Sequence, residues 1–177
     1  MQTHTRFRLI ATSAAIGLTS IAVGVATAAD APDAPTKKIT HSGVGKVKLG
    51  RSYKYLHHRH LVGKLQHGCE LGGPSTRGAS LKSPLKGSVN FTLKNPRKVT
   101  DITVTAGGAA RGVGIGENIK DIKKAFPKAK VDHSTEKQFG YTSVRVPKSG
   151  GGRLEFSVST KSKHVDAIGI PFLAVCE

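Results

Sequence analysis

Apolar and polar residues alternate along several segments of the chain. Every second position from 85 to 93 is apolar or glycine, and after Asn95-Pro96 apolar positions recur through residues 99–105. This alternation is typical of strands with one buried and one solvated face, and Asn-Pro is typical of a turn. The same pattern predicts three further strands, at residues 141–146, 153–159 and 165–170.

Two short helices are predicted upstream of these strands. At Ser52 and at Asn118, a polar residue follows a glycine by two positions and precedes apolar residues at helical spacing. The side-chain oxygen of such a residue accepts hydrogen bonds from the free backbone N–H groups of a helix start. We predict a first helix over residues 52–62, ended by a left-handed Gly63, and a second over residues 118–126. Both are amphipathic and need a sheet to cover.

The sequence also repeats itself. Residues 45–56 align with residues 111–122 at an offset of 66, and residues 91–104 align with residues 156–170 at offsets of 65 and 66. Two matching blocks at nearly one offset predict two homologous units. We therefore predict an α+β fold of two tandem repeats, each a short helix packed on an antiparallel meander of three or four strands.

The N-terminal segment is predicted to direct export. Two arginines precede 21 uncharged residues that end in small side chains, which is the layout of a secretory signal peptide. Cleavage after Ala28 or after Ala29 fits, and the alternative is an uncleaved membrane anchor. We expect a secreted, extracellular protein. The predicted parts are a signal peptide, a flexible linker and two repeats, at residues 1–29, 30–38, 39–105 and 106–177.

Cys69 and Cys176 form an even pair in a chain expected outside the cytoplasm, where disulfides persist. We predict a disulfide between them. It would close a loop of roughly 107 residues, which the chain-entropy model values at about 4 to 5 kcal/mol. The alternative is a nucleophilic Cys69 near His67, which needs a base within reach and a third, orienting group.

Positive charge is concentrated in the first predicted repeat. The chain has 28 Lys+Arg and 11 Asp+Glu; residues 40–105 hold 12 basic and two acidic residues, and residues 106–177 hold 12 and seven. Such an excess attracts wall teichoic acids, acidic phospholipid head groups or released nucleic acid; the alternative is that it only maintains solubility. No motif for sequence-specific nucleic-acid recognition is present. The candidate polyanion-binding residues are Lys46, Lys48, Arg51, Lys54, Arg59 and Lys64.

Histidines cluster in the first predicted helix. His57 and His60 are helical neighbours at i and i+3, a spacing that can bring two imidazoles to one metal ion. His67 or Glu70 would supply a third ligand if the following loop folds back. The alternative is a solvated basic helix face, because the surrounding lysine and arginine side chains repel a dication.

The sequence contains no complete catalytic or nucleotide-binding motif. The glycine-rich residues 107–116 precede a helix but lack the Gly-Lys-Ser/Thr of a phosphate loop and the distant acid of a dinucleotide site. No Ser-x-x-Lys, Gly-x-Ser-x-Gly or close carboxylate pair occurs. We therefore expect no enzymatic activity and no cofactor.

The helix starts at residues 49–52, with Leu56, and 115–118, with Ile122, share a Gly-x-polar-x-x-x-apolar pattern. This pattern resembles the tandem-repeat secreted proteins of the β-lactamase inhibitory protein type and the related small envelope-assembly lipoprotein domains. The run over residues 112–131, with the terminal Cys-Glu, is similar to exported two-repeat proteins of high-GC Gram-positive bacteria. The resemblance implies fold and export. Inhibitors of this type carry aromatic-rich docking surfaces, whereas this chain has no Trp and only three Tyr.

These observations favour a secreted, non-enzymatic binding protein whose basic first repeat contacts an anionic polymer of the cell envelope. The same charge permits peripheral contact with a membrane surface. Two alternatives follow from the resemblance and from the histidines. They are an inhibitor that binds a secreted enzyme, and a metal binder that uses His57, His60 and His67.

Overall fold

The computed structural model describes residues 36–68, 77–148 and 152–174. The elements in chain order are β1 (Lys37–Thr40), β2 (Gly43–Val44), β3 (Val47–Lys48), α1 (Tyr53–His58), β4 (Gln66–His67), β5 (Arg77–Ser80), β6 (Lys86–Phe91), β7 (Val99–Ala106), β8 (Gly108–Ala109), α2 (Ile119–Ala125), β9 (Lys130–Asp132), α3 (Glu136–Phe139), β10 (Tyr141–Pro147), β11 (Arg153–Ser159) and β12 (Val165–Ile170). The predicted α+β class is confirmed.

An antiparallel sheet of eight strands organises the described residues. Its strand order is β4-β5-β6-β7-β12-β11-β10-β9, so β7 and β12 lie side by side in the middle. A second sheet has the order β3-β2-β1-β8, in which β1 and β8 run parallel. The two predicted repeats therefore contribute four strands each to one continuous sheet.

One face of the large sheet forms the core. Val89, Ile102 and Phe156 are fully buried on this face, as the alternation predicted. The helices cover it with Leu56 from α1 and Ile122 from α2, both fully buried. Burial of large aliphatic and aromatic side chains is the main stabilising contribution, about 1.5–3 kcal/mol for each.

The opposite face is polar and is crossed by the C-terminal segment. The Leu173 backbone N–H donates to Glu155 Oε2 at 3.1 Å, and Arg153 Nε donates to the Pro171 carbonyl at 3.1 Å. A Cβ atom added at Gly169 would overlap backbone atoms of Phe172 and Leu173. Glycine at this position therefore lets the segment lie directly on the sheet.

A buried polar pair lies on the same face. Asn90 Nδ2 donates to Asp101 Oδ1 at 2.8 Å, and Thr100 Oγ1 donates to Asp101 Oδ2 at 2.9 Å. Burial raises the pKa of Asp101, although both hydrogen bonds lower it in part. Asp101 is therefore an ionisable group whose charged form is disfavoured by burial inside the β-sheet.

The first helix is shorter than predicted, and the second agrees. Ser52 caps α1, but the helix ends at His58 and His60 takes the left-handed conformation with φ 53°. The prediction that Gly63 ends the helix was wrong, because the helix ends five residues earlier and the Gly63 N–H donates to the carbonyl of Ser80, the last residue of β5. The α2 bounds confirm the prediction, with Asn118 as its cap.

The alternation predicted the long strands and missed the short ones. The predicted strands over 153–159 and 165–170 are confirmed at the same bounds, and those over 85–93, 99–105 and 141–146 are confirmed with shifted ends. Leu93, expected in a core face, is 44% exposed beyond the end of β6. Strands of two to four residues, such as β2 to β5, contain too few positions for a period to appear.

Candidate anion-binding surface

The local structure around α1 places its polar side chains in solvent. Ser52 Oγ accepts from the Tyr55 backbone N–H at 3.3 Å, and Gly50 takes a φ of 76° in the preceding turn. Arg51 lies just before the Ser52 cap, and Tyr55 and Arg59 follow one turn apart; all three are exposed, whereas Leu56 is buried. The helix therefore presents a row of side chains that contains no acidic residue.

Two arginines stack on one tyrosine in this row. The guanidinium carbon of Arg51 lies 5.2 Å from the ring centroid of Tyr55, and that of Arg59 lies 5.8 Å from the same centroid. Both distances are within the range of cation–π attraction. A stacked guanidinium keeps the N–H groups at its edge available for an oxyanion. We name Arg51, Tyr55 and Arg59 the Arg–Tyr–Arg stack.

A second group of cations lies where the chain packs beside α1. One hollow of about 520 Å³ and another of about 340 Å³ both include Arg97 in their walls. Lys54 lines the first hollow, and His67 and Arg77 line the second. We name these four residues and the two hollows the basic groove. The neutral lining residues are Ser52, Tyr53, Asn95, Pro96, Leu65 and Gln66.

Arg97 is the central cation of the basic groove. Its backbone carbonyl accepts from the Tyr53 N–H at 2.8 Å, which attaches it to the start of α1. Its Nε is buried and has no hydrogen-bond partner in the part of the chain that the structure describes. Arg77 Nη1 and His67 Nδ1 lie 3.4 Å apart in the second hollow. An unsatisfied guanidinium N–H beside two further basic side chains is a chemical match for an oxyanion.

The positive charge of this region is not offset by any acidic residue within positions 36–68. Residues 36–68 contain eight Lys+Arg, five His and no Asp or Glu. Within the described ranges, the ion pairs join Arg145 to Asp132 and Glu155, and His133 to Glu136. All of them lie after β9 begins, so the cations around α1 are balanced by no salt bridge among these residues.

In the second half of the chain, acids are engaged by neighbouring groups. The hydrogen bond from the Ser134 side chain, followed by other contacts that include Arg145, holds the pKa of Asp132 below its usual range. Hydrogen bonds from Thr142 and His133 lower the pKa of Glu136. Carboxylates held in this way reduce the net field of the second half, and the basic field is therefore strongest around α1.

The six predicted polyanion-binding residues are distributed around α1. Arg51 and Arg59 belong to the Arg–Tyr–Arg stack, and Lys54 lines the basic groove. Lys46 is exposed in the turn between β2 and β3, Lys48 is half-buried in β3, and Lys64 is exposed before β4.

Sequence reasoning missed Arg77 and Arg97. Both are distant from α1 along the chain and reach it through strand pairing, including the antiparallel bridge between Ser52 and Lys98. The only sequence signal was their membership of the basic first half.

The histidines of the predicted metal site have other neighbours. The His57 ring lies 5.2 Å from that of Tyr53, His60 occupies a left-handed turn, and His67 faces Arg77. No group of three or more His, Cys, Asp or Glu side chains in residues 36–68, 77–148 and 152–174 is arranged to hold a metal ion. Glu70, the other suggested ligand, lies outside the described residues. The structure thus gives the metal hypothesis no assembled ligand set.

The glycine-rich segment before α2 is a tight turn. Ala110 and Val113 form a two-hydrogen-bond bridge around Arg111 and Gly112. The first N–H groups of α2 are then satisfied by the Asn118 side chain within a capping box. The segment therefore positions a helix start, and the Asn118 side chain takes the helix N–H groups that a phosphate would need.

No family model, curated protein or solved structure matches the chain. None of the helices in the described ranges is long and apolar enough to span a membrane. The two predicted disulfide cysteines, Cys69 and Cys176, lie outside the described residues.

Proposed function

We propose that this chain is a secreted, non-enzymatic binding protein whose first half holds a phosphate-bearing polymer of the cell envelope, of the teichoic-acid type. The observation that carries the proposal is the acid-free segment 36–68, with eight Lys+Arg that no ion pair among the described residues neutralises. Polyanions bind such surfaces by releasing counterions, without the need for a deep pocket.

The Arg–Tyr–Arg stack and the basic groove support a phosphate polymer in particular. Guanidinium groups pair with phosphate through two parallel N–H bonds, and arginine is preferred over lysine where this planar geometry is used. Arg51, Arg59, Arg77 and Arg97 provide four such groups around one helix. A chain of regularly spaced phosphates can contact several of them at once.

The alternative of an enzyme inhibitor is not favoured by the apolar side chains that the described residues expose. Tight protein interfaces are usually centred on buried Trp, Tyr or Arg side chains. The large apolar side chains exposed in the described ranges are Tyr55, Leu93, Ile115 and Phe172. Tyr55 is already covered on its ring by two arginines, so the surface around it favours an anionic partner.

The two-repeat organisation is part of the proposal, and equivalent backbone contacts support it. The Gly50 N–H donates to the Val99 carbonyl and the Gly116 N–H to the Val165 carbonyl, each at 2.9 Å. These pairs are separated by the offset of 66. The same offset relates the Ser52–Lys98 and Asn118–His164 bridges, and the turns at Val44–Val47 and Ala110–Val113.

The register in the middle of the sheet supports the same organisation. Ile102 lies opposite Ile170, and Val104 lies opposite Ile168. Ile102 and Ile168 are 66 positions apart, as are Val104 and Ile170, so the offset converts each of the two pairs into the other. Thr103 is likewise 66 positions from Gly169, the residue with which it pairs. Two homologous repeats would also make Val89 and Phe156 equivalent, since Val89 lies opposite Ile102 and Phe156 lies opposite Ile168. The sequence alignment of Phe91 with Phe156 is therefore displaced by two residues.

Export and the disulfide complete the proposal. The signal segment over residues 1–29 supports secretion, and a secreted chain would allow Cys69 and Cys176 to pair. Both remain predictions from the sequence.

Calorimetric titration of the purified protein with poly(glycerol phosphate), repeated at rising salt concentration, tests the function. We expect saturable binding whose log K falls with log salt at a slope of about −0.7 for each phosphate engaged, the value for single-stranded polyanions. The double variant Arg51→Ala/Arg59→Ala removes two contacts, so its slope should be shallower by about 1.4. Exposed ion pairs contribute about 0.2–1 kcal/mol each, so its affinity should fall roughly 2- to 30-fold.

The matched control is Lys120→Ala/Lys161→Ala, which removes the same charge from exposed positions of the second half. Its affinity should stay within about twofold of the unmodified protein, since neither lysine belongs to the proposed surface. Binding that is insensitive to salt, or an equal loss in both double variants, would refute the proposed surface. Salt-resistant capture of one secreted enzyme would favour the inhibitor alternative instead.

A further inference from the structure

A second cationic pocket shares no residue with the basic surface around α1. It has a volume of about 390 Å³ and is lined by His41, Arg111, residues 126–128 and residues 146–148. These residues come from the turn after β1, the turn before α2, the end of α2 and the end of β10. We name it the His41 pocket. Four separate segments form it, so the fold and not a local motif creates the site.

The polar part of the His41 pocket is entirely basic. Arg111, Lys128 and Lys148 contribute three positive charges, and no acidic side chain is among the lining residues that the structure describes. Like charges that face one hollow repel one another, and an anion in the hollow would relieve this repulsion. The arrangement therefore selects for negative charge in whatever binds there.

Arg111 is held in position before any ligand arrives. Its guanidinium carbon lies 5.2 Å from the Phe126 ring centroid, and its Nη1 donates to the Ala125 carbonyl at 3.3 Å. The residue also takes a φ of 50°, which is uncommon for a side chain larger than glycine. A guanidinium oriented in this way loses little freedom on binding, and its remaining N–H groups can meet an oxyanion.

His41 contributes an unsatisfied polar atom. Its Nε2 is buried and has no hydrogen-bond partner in the described structure. Burial is the main cause that lowers the pKa of His41, a weak hydrogen bond to the Val146 backbone raises it, and the charges of Lys148 and Arg111 lower it further; this backbone contact falls short of full hydrogen-bond geometry at Nε2. A buried polar atom without a partner costs free energy that a ligand oxygen can recover.

The rest of the lining is apolar. Phe126 is 5% exposed, and Pro127, Val146 and Pro147 extend the same wall. An inorganic anion would leave this wall in contact with water, and a neutral apolar molecule would leave the three cations uncompensated. We propose that the His41 pocket binds a small organic carboxylate, with the carboxylate between Arg111, Lys148 and His41 and a compact apolar body against Phe126 and the prolines.

NMR titration of the full chain with 2-naphthoate tests this proposal, with His41 ring resonances as the readout. We expect saturable shifts at His41, and a rise in its pKa on binding because the carboxylate offsets Arg111, Lys128 and Lys148. Binding should therefore tighten as the pH falls through the pKa of His41. The neutral analogue 2-naphthamide should bind at least about tenfold more weakly, because it lacks the charge that the three cations select.

Lys148→Gln should weaken naphthoate binding about fivefold or more, whereas Lys161→Gln, an exposed lysine outside the pocket, should leave it within about twofold. Circular dichroism of each variant verifies that it is folded. Absence of a saturable shift at His41 would overturn the proposal, as would equal affinity for naphthoate and naphthamide. Equal weakening by Lys148→Gln and Lys161→Gln would assign the effect to net charge. Naphthoate binding can also be measured in the Arg51→Ala/Arg59→Ala variant, which retains every lining residue of the His41 pocket. The result of the naphthoate titration is therefore separate from the result for polymer binding.

Discussion

Substitution of Gly169 by alanine tests how the C-terminal segment is held on the sheet. The added Cβ would approach backbone atoms of Phe172 and Leu173 more closely than the 3.0 Å that real Cβ atoms essentially never pass. Because the obstructing atoms are backbone, the segment must move away. It then loses the 3.1 Å hydrogen bond from Leu173 to Glu155 and the 3.1 Å bond from Arg153 to Pro171.

The expected cost follows from these two contacts. The bond from Leu173 to the Glu155 carboxylate contributes about 1.5–3 kcal/mol, as for hydrogen bonds to charged groups. The Arg153 guanidinium is also charged, but its bond to Pro171 is exposed to solvent, so we assign it only about 0.5 kcal/mol. We therefore expect Gly169→Ala to lower the free energy of unfolding by about 2–3.5 kcal/mol, which corresponds to a fall in Tm of about 4–14 °C for a chain of this size. Urea unfolding followed by circular dichroism measures the change.

The control is Gly63→Ala, in which the added Cβ meets Ser80 and Lys82 atoms at ordinary distances of 3.7 and 3.8 Å. Its stability should change by less than about 1 kcal/mol, and a small gain is expected from the reduced freedom of the unfolded chain. Limited proteolysis should cleave the C-terminal segment faster in Gly169→Ala only. If both variants unfold at the same urea concentration, the proposed contact between this segment and the sheet is wrong.

Two further predictions concern the buried polar pair and the helix caps. Asp101→Asn should raise the free energy of unfolding at pH 7 and leave it nearly unchanged near pH 3. The pKa of Asp101 is higher in the folded than in the unfolded state, so the stability that the acid contributes is present at low pH and lost as the pH rises. Urea unfolding at both pH values measures the change, and a loss of stability at pH 7 would contradict the desolvation argument. Asn118→Ala should lower the free energy of unfolding by about 1–2 kcal/mol, and Ser52→Ala by about 0.5–1 kcal/mol. The Asn118 side chain accepts from two backbone N–H groups and the Asp121 side chain accepts from the Asn118 N–H, whereas Ser52 accepts one hydrogen bond at 3.3 Å. Equal losses in thermal unfolding would contradict that order.

The basic surface was predictable only in part. The exposed cations near α1 follow from sequence, because Lys54 and Arg59 flank the buried Leu56 on a helix whose start the Ser52 cap marks. The position of Arg59 one turn after Tyr55 follows from helical spacing, whereas the contact of Arg51 with the same ring depends on the extended backbone at the Ser52 cap. Arg97 could not be assigned in this way, because it reaches α1 through the pairing of Ser52 with Lys98.

By itself, the sequence determined the features that depend on neighbours along the chain. Alternation over residues 153–159 and 165–170 specified strands with one buried face, and Asn118 two positions after Gly116 specified a helix start. The absence of acids from residues 36–68 likewise needs no structure to be seen.

Tertiary structure decided which distant groups meet. The pairing of β7 with β12 joins the two halves in one sheet, and the C-terminal segment covers Gly169 from the face that alternation marks as polar. The His41 pocket brings together four segments whose order in the chain gives no sign of contact. Helical and strand periods arise from local geometry, whereas these contacts depend on strand register and packing across the whole sheet.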